Sequence, residues 1–241
     1  MRSIWLLALA ALAACNRSPP ANTAAAANVA APTNTAATPA PTAPNPKLAQ
    51  IFTPDVLGSN VAFLETITGP AFRTEGSDRT YKVGGCTVIV GATAGKIDNI
   101  GIDGYGGACS FPIAQYFAGG YDPPAPLQPT FGDIAKGMGG VYATDCLKLC
   151  GNAADPVVSL THQGSHADNF NNLYASVPVV DDAVVTAWQA WSDRLGAKYS
   201  DAVMEEGTAK MGDTLQDVAT QNFAKIRPTV IRVGDKLPGA D

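Results

Sequence analysis

Two histidines and an aspartate are the residues of this chain best suited to metal chemistry. His162 and His166 are the only histidines, and Asp168 follows closely. Imidazole and carboxylate groups together suit zinc. β-Branched residues precede His162, and Gly164 lies between the histidines, which predicts a strand and a turn rather than a helix. Strand residues four apart are separated by about 13 Å, so only a tight turn would bring both rings to one metal. We therefore expect solvated turn histidines and no metal or other cofactor.

Other catalytic patterns in the sequence are incomplete. The segment 91–97 resembles a phosphate-binding loop, but its glycine spacing is one residue short and Ile97 stands where a hydroxyl should bind magnesium. There is no G-x-S-x-G nucleophile elbow. Helix capping explains the acidic pair at 181–182, and solvent exposure explains the pair at 205–206. The sequence therefore favours a non-enzymatic binding or interaction module. The alternative is an envelope enzyme with a His162, His166 and Asp168 metal site.

One cysteine near the N-terminus is a candidate for covalent modification. Arg2 gives a positive start, and an apolar run follows that is too short to cross a bilayer core of about 30 Å. Small residues at the end of such a run are typical of a cleaved signal peptide, which we place at residues 1–14. The tetrad Leu12-Ala13-Ala14-Cys15 resembles the bacterial lipobox. That resemblance implies cleavage before Cys15 and acyl chains on this residue, and two or three chains give stable anchoring.

A tether follows the modified cysteine. Asn16 is not the aspartate that resembles an inner-membrane retention signal, so we expect the outer membrane, with the domain facing the periplasm. Residues 15–47 consist almost entirely of Ala, Pro, Thr and Asn, and they lack apolar periodicity. Such a composition cannot offset its ordering entropy, which predicts disorder. The tether would reach between about 30 Å as a coil and about 100 Å as extended polyproline.

Four cysteines remain in the predicted globular part, residues 48–241. An even number in an exported chain indicates two disulfides, because the periplasm is oxidising. Four cysteines permit three pairings. We favour Cys86–Cys109 with Cys146–Cys150, since each pair closes a local loop. In a flat strand the second pair would lie about 13 Å apart, whereas a disulfide needs its Cα atoms within about 7 Å. The segment between Cys146 and Cys150 must therefore turn if this bond forms.

Charge limits the partners of the globular part. All 21 acidic residues lie after Lys47, whereas Arg2, Arg17 and Lys47 are basic residues outside the globular part. This part is therefore more acidic than the whole chain, whose formal charge is −5. An acidic surface repels phosphate backbones, so we expect no nucleic-acid partner. The expected partners are the membrane, through the lipid anchor, and an envelope protein.

Local patterns predict two similar halves, 48–128 and 129–241. In the first, Thr53-Pro54 begins a helix that ends at Gly69-Pro70. A strand from Tyr81 to Val90 then returns through a hairpin at 92–95. In the second half, a short helix begins at Thr130 and a hairpin pairs 157–162 with 170–180.

The end of the chain adds two helices and a strand. Asp181 or Asp182 caps the longest helix, in which Trp188, Trp191 and Leu195 form an apolar seam for core packing, continued by Tyr199 and Val203. A final helix spans about 214–226, and 229–233 adds an edge strand. These elements predict the α+β class. The antiparallel sheet has helices on one side, and a tandem helix–hairpin repeat precedes the C-terminal helices.

This order of elements resembles two known families. A lipobox, a tether, a helix ending at Gly69-Pro70 and a hairpin that begins at Tyr81 are similar to the SmpA/OmlA outer-membrane lipoproteins. The doubled helix–hairpin order resembles the β-lactamase inhibitor protein. The resemblance covers 53–103 directly and 130–180 by analogy. Here Gly69 and Pro70 are adjacent, whereas the SmpA/OmlA family tends to separate them by one residue, and this chain is longer. The resemblance implies a fold and a binding role.

Overall fold

Eight antiparallel strands form one sheet in the described part of the chain. The computed structural model describes residues 45–117, 129–148, 150, 155–166, 169–201, 204 and 212–238. The strands are β1 (Arg73–Glu75), β2 (Asp78–Val83), β3 (Cys86–Thr93), β4 (Lys96–Asp103), β5 (Val141–Thr144), β6 (Val157–His162), β7 (Asn172–Pro178) and β8 (Val230–Gly234). Their order across the sheet is β1-β2-β3-β4-β8-β7-β6-β5.

Helices pack on one face of this sheet. They are α1 (Pro46–Ile51), α2 (Val61–Thr68), α3 (Phe131–Met138), α4 (Asp182–Gly196) and α5 (Gly212–Phe223). Their buried side chains, such as Leu64, Ile134 and Trp191, share a single core with Val88 of β3 and Leu160 of β6. The predicted α+β class is therefore confirmed. None of the described helices is long and apolar enough to span a membrane.

Side-chain caps fix where the helices begin. The Asn60 side chain accepts a hydrogen bond from Ala62 N at the start of α2, and Asp181 does the same for Ala183 N at the start of α4. At α3, Thr130 and Asp133 form a reciprocal capping box. The hydrogen bonds from the Thr130 backbone and side chain hold the pKa of Asp133 below its usual value. The Asp181 cap confirms the predicted start of the longest helix.

Two local predictions in the first half are wrong. The helix expected from Thr53 is a 3-10 turn over Pro54–Val56, and α2 begins only at Val61. The tether prediction is also wrong for residues 45–47, because Asn45 caps α1 and Pro46 and Lys47 belong to this helix. The strand expected from Tyr81 to Val90 is divided into β2 and β3 by a turn at Gly84–Gly85. The hairpin between β3 and β4 has its turn at Ala94–Gly95, within the predicted segment.

The last strand joins the two predicted halves. We expected 229–233 at a sheet edge, but β8 lies between β4 and β7 and pairs with both. The order of a helix and then an antiparallel meander occurs twice, as α2 with β2–β4 and as α3 with β5–β7. Because β8 closes the gap between these meanders, they share one sheet and one core.

Both edges of the sheet are protected against pairing with another strand. On β5, the Gln216 side chain accepts a hydrogen bond from Tyr142 N at 2.6 Å and donates one to Tyr142 O at 3.0 Å. The Gln216 side-chain amide thus makes the two hydrogen bonds that a peptide group of a neighbouring strand would make. At the other edge, β1 has only three residues, all exposed, and two of them are charged. Short, charged edges discourage strand addition.

Two disulfides form with the favoured pairing. Cys86 pairs with Cys109, with Cα atoms 5.4 Å apart, and Cys146 pairs with Cys150, with Cα atoms 5.6 Å apart. The short second distance confirms that the chain turns after Cys146 instead of continuing as a strand. Leu147, inside this turn, is fully buried. The turn therefore also contributes to the core.

The apolar seam of α4 packs into the core as predicted. Trp191 and Leu195 are buried, and Trp188 is half-buried with its indole N–H donating to Cys146 O at 3.1 Å. The helix ends at Gly196, so Tyr199 packs against the core from beyond its end. The described residues do not include Val203, and they do not include residues 1–44, which contain the predicted signal peptide, Cys15 and most of the predicted tether.

Candidate functional site

The two histidines occupy different environments. His162 lies on the core face of β6, is only 5% exposed and packs its ring edge-on to Phe117, with 5.6 Å between ring centroids. His166 is exposed in the turn that follows and packs instead against Phe170 at 5.0 Å. The prediction of a solvated turn histidine is therefore wrong for His162. Its position on β6 places the ring on the same face as Val158 and Leu160, under the helices.

Within the described residues, no group of three or more His, Cys, Asp or Glu side chains is arranged to hold a metal ion. Asp168 and the pair at 205–206 lie outside those residues. The two histidines that the sequence offered for metal chemistry are thus divided between the core and an exposed turn.

The sheet face opposite the helices presents a different set of side chains. We call it the polar face. One row across it, in register, runs from Thr80 and Ile89 through Gly101 and Arg232 to Tyr174 and Thr161. Except for Gly101 and Arg232, these residues are half-buried. A parallel row contains Lys82, Thr87 and Asp103, and it continues through Val230 and Ser176 to Ser159. The polar face therefore offers hydroxyl groups from both halves and exposed charged groups, Lys82 and Asp103, from the first half.

A buried arginine crosses the middle of the polar face. The guanidinium of Arg232 on β8 donates two hydrogen bonds of 2.8 Å to the carboxylate of Asp78 on β2. Its Nε donates to Asn99 Oδ1 on β4 at 2.9 Å. The Asn99 amide in turn donates to the backbone oxygens of Asp235 and Lys236. This bidentate pairing connects strands that are three places apart in the sheet.

Glycines leave the space that the arginine needs. A Cβ at Gly101 would overlap the Cγ of Arg232, and a Cβ at Gly91 would overlap the Asn99 amide. Gly101 lies directly opposite Arg232, and Gly91 lies opposite Asn99. The side chain can therefore lie flat along the sheet only because β3 and β4 carry no side chains at these two positions.

A groove lies on the polar face beside this arginine. It has a volume of about 310 Å³. Its lining combines hydroxyl, basic and acidic side chains with the Phe72 ring, and the residues are Phe72, Arg73, Glu75, Asp78, Thr80, Lys82, Thr87, Ile89 and Asp103. Lys82 Nζ donates to Thr87 Oγ1 at 2.6 Å and lies 5.2 Å from the centroid of the Phe72 ring. The side chains of the groove can therefore donate hydrogen bonds to a bound surface or ligand and accept hydrogen bonds from it.

The polar face and its arginine were not predicted from the sequence. A signal was present, because Arg232 interrupts the apolar run Val230-Ile231-Arg232-Val233, and Gly101 stands between Ile100 and Ile102. A charged residue inside an apolar strand needs a partner when it is buried. The partner, Asp78, is 154 residues away, and local patterns do not connect residues so far apart.

Comparison with known proteins gives no match to the model of any family, to a curated protein or to a solved structure.

The two partners of the Arg232–Asp78 pair should differ in how much their replacement lowers the free energy of unfolding. The Asp78 side chain is 39% exposed, whereas that of Arg232 is 4% exposed. Asp78→Asn leaves a buried guanidinium without its counter-charge, and should lower the free energy of unfolding by about 3 kcal/mol. Arg232→Met leaves a carboxylate that water can solvate and removes the donors to the buried Asn99 Oδ1, and it should cost about 1 to 2 kcal/mol. Urea denaturation of both variants and of the double variant measures these costs. A larger cost for Arg232→Met would contradict this account.

His162 and His166 should also differ in how much their replacement lowers the free energy of unfolding. His162→Ala removes a buried ring from the core and should lower the free energy of unfolding by about 2 to 3 kcal/mol. His166→Ala changes an exposed side chain and should stay within about 0.5 kcal/mol. Thermal unfolding with and without a chelator compares the two. Large losses in both variants, together with loss of bound zinc, would support the metal-site alternative instead.

Proposed function

We propose that this chain is a lipoprotein anchored in the outer membrane, and that its periplasmic domain binds an envelope protein through the polar face without catalysing a reaction. The observation that carries the binding role is the polar face itself. It spans both meanders, and it presents hydroxyl and charged side chains on a sheet whose other face is covered by helices. Hydrogen-bonding groups of this kind, on a rigid scaffold, give a protein interface its specificity.

The proposed location rests on the lipobox-like tetrad that ends in Cys15. Both disulfides support it, because such bonds persist in oxidising compartments and are rare in the cytosol. The predicted tether would give the domain room to reach a partner at a distance from the membrane.

The size of the polar face suits a protein partner. Eight strands at a spacing of about 4.8 Å give a width of roughly 34 Å. The six inner strands, β2 to β4 and β6 to β8, have five to eight residues and give a length of roughly 17 to 26 Å. A surface of this extent approaches the roughly 800 Å² that each partner contributes to a standard interface. Gln216 and the short strand β1 protect the sheet edges, so binding by strand addition is disfavoured and the face is the better candidate.

The geometry of the described residues gives the enzyme alternative no specific support. Its metal site would require His162 to leave the core and meet His166 in the turn. His162 pairs with Leu173 in the β6–β7 ladder, on the buried side of the sheet.

Replacing the proposed lipidated residue tests the anchor. Cys15→Ser removes the thiol that would accept the lipid, so metabolic labelling with palmitate should mark only the wild type. The variant should also leave the membrane fraction. Equal labelling of both proteins would show that the anchor assignment is wrong.

Bulky substitutions on the polar face test the binding role. Thr161→Arg places a long, charged side chain on the polar face, whereas Thr186→Arg makes the same change on the exposed surface of α4. Cross-linking in intact cells, followed by solubilisation and mass spectrometry, should recover the same partner with the wild type and with Thr186→Arg. Recovery with Thr161→Arg should fall at least about tenfold, since charge at an interface core is strongly disfavoured. Equal recovery with all three proteins would exclude the polar face.

A further inference from the structure

Helix α2 has an apolar outer surface. Val61 and Leu64 point into the core, and the Tyr81 hydroxyl donates to the Glu65 carboxylate at 3.2 Å, which fixes the helix on the sheet. Phe63 and Ile67, one turn apart, are 61% and 39% exposed. Between the turn at Pro54–Val56 and these two side chains lies an apolar cavity of about 70 Å³, lined mainly by Ile51, Val56, Phe63, Leu64 and Ile67.

This surface lies beside the point where the predicted tether enters the domain. Asn45 is held there, with its backbone N–H donating to Ala108 O at 3.0 Å and its side chain donating to Gly84 O at 2.8 Å. Helix α1 follows at once and packs against α2, and Ile51 at its end lines the cavity. A helix of six residues is about 9 Å long, so the cavity is close to the attachment point.

We propose that Phe63, Ile67 and the cavity between them form a membrane-contact surface, which rests on the lipid of the membrane that carries the anchor. The inference depends on the proposed anchor at Cys15, thirty residues before Asn45. A tether of this length confines the domain to within roughly 30 to 100 Å of the bilayer, so that weak apolar contacts become effectively intramolecular. The surface beside the attachment point is the part of the domain that the tether brings to the bilayer most often.

The chemistry of the surface selects acyl chains over headgroups. Its exposed residues are apolar, and Asp55 at the rim adds a negative charge to an acidic domain, which disfavours anionic headgroups. An aromatic and an aliphatic side chain on one helix face are typical of shallow insertion at a membrane interface. Because Phe63 and Ile67 point away from the sheet, contact between these residues and the membrane would turn the polar face toward the periplasm, where the proposed partner would bind.

Tryptophan scanning in vesicles tests the contact. Full-length lipidated protein carrying Phe63→Trp is reconstituted into zwitterionic phosphatidylcholine vesicles, with lipids brominated near the headgroup as short-range quenchers. Val141→Trp is the matched control, because Val141 is 59% exposed and lies on β5, at the opposite end of the sheet from the strand β2 that α2 packs against. The added emission at position 63 should fall by about half or more, while that at position 141 should change by less than about a tenth. Equal quenching at both positions, or none at position 63, would overturn the proposal.

A second pair of substitutions tests whether the quenching comes from contact between the α2 surface and the lipid, and not only from the domain being near the vesicle. In the Phe63→Trp protein, Ile67→Asp adds a charge to the contact surface, and Thr66→Asp adds the same charge at the neighbouring exposed position of α2. Ile67→Asp should abolish the quenching, and Thr66→Asp should preserve it. Flotation of the same samples reports on the anchor alone. Phe63→Trp protein without the second substitution that floats with the vesicles but shows no quenching would overturn the membrane contact and leave the anchor standing, whereas protein that does not float would overturn the anchor.

Discussion

The buried guanidinium of Arg232 sets the constraint on which the rest of the structure depends. A charge removed from water must be paired and hydrogen-bonded, and the carboxylate that pairs with it is on β2, across two intervening strands. That geometry requires β8 to lie beside β4, and it requires glycine at 101 beneath the arginine and at 91 beside the Asn99 amide. Asn99 completes the arrangement, because its amide also holds the chain after β8. The last strand is therefore fixed against the first meander by specific contacts.

From this constraint follows the shape of the proposed binding surface. Since β8 pairs with β4 on one side and β7 on the other, the two meanders form one continuous sheet. Helices cover the apolar face, and the face that contains Arg232 retains hydroxyl and charged groups. With one edge closed by Gln216 and the other reduced to three exposed residues, the polar face is the part of the sheet best suited to recognition. The helix layer, at α2, contains the apolar residues proposed to contact the membrane.

Local patterns were sufficient for part of this structure. The start of α4 at Asp181, the hairpin of β6 and β7, the turn at Ala94–Gly95 and both disulfides follow from capping residues, alternation and cysteine spacing. Other features of the fold depend on pairing between residues that are far apart in the sequence, which local patterns do not predict. The position of β8 depends on partners more than a hundred residues away, and the burial of His162 depends on which face of β6 the helices cover. The break before α2 occurs at Gly58, whose φ of 78° interrupts a helical pattern. The Arg232 pair was missed for the same long-range reason.

Native-state hydrogen exchange in increasing urea measures most directly whether β8 unites the two meanders. If the strand and its arginine join them into one cooperative unit, the slowest amides of β3 and of β6 should converge on the same opening free energy, within about 0.5 kcal/mol. Amides of β8 should join the same group. Exchange of β6 and β7 through an opening at least about 2 kcal/mol lower, with β2 to β4 still protected, would contradict the account.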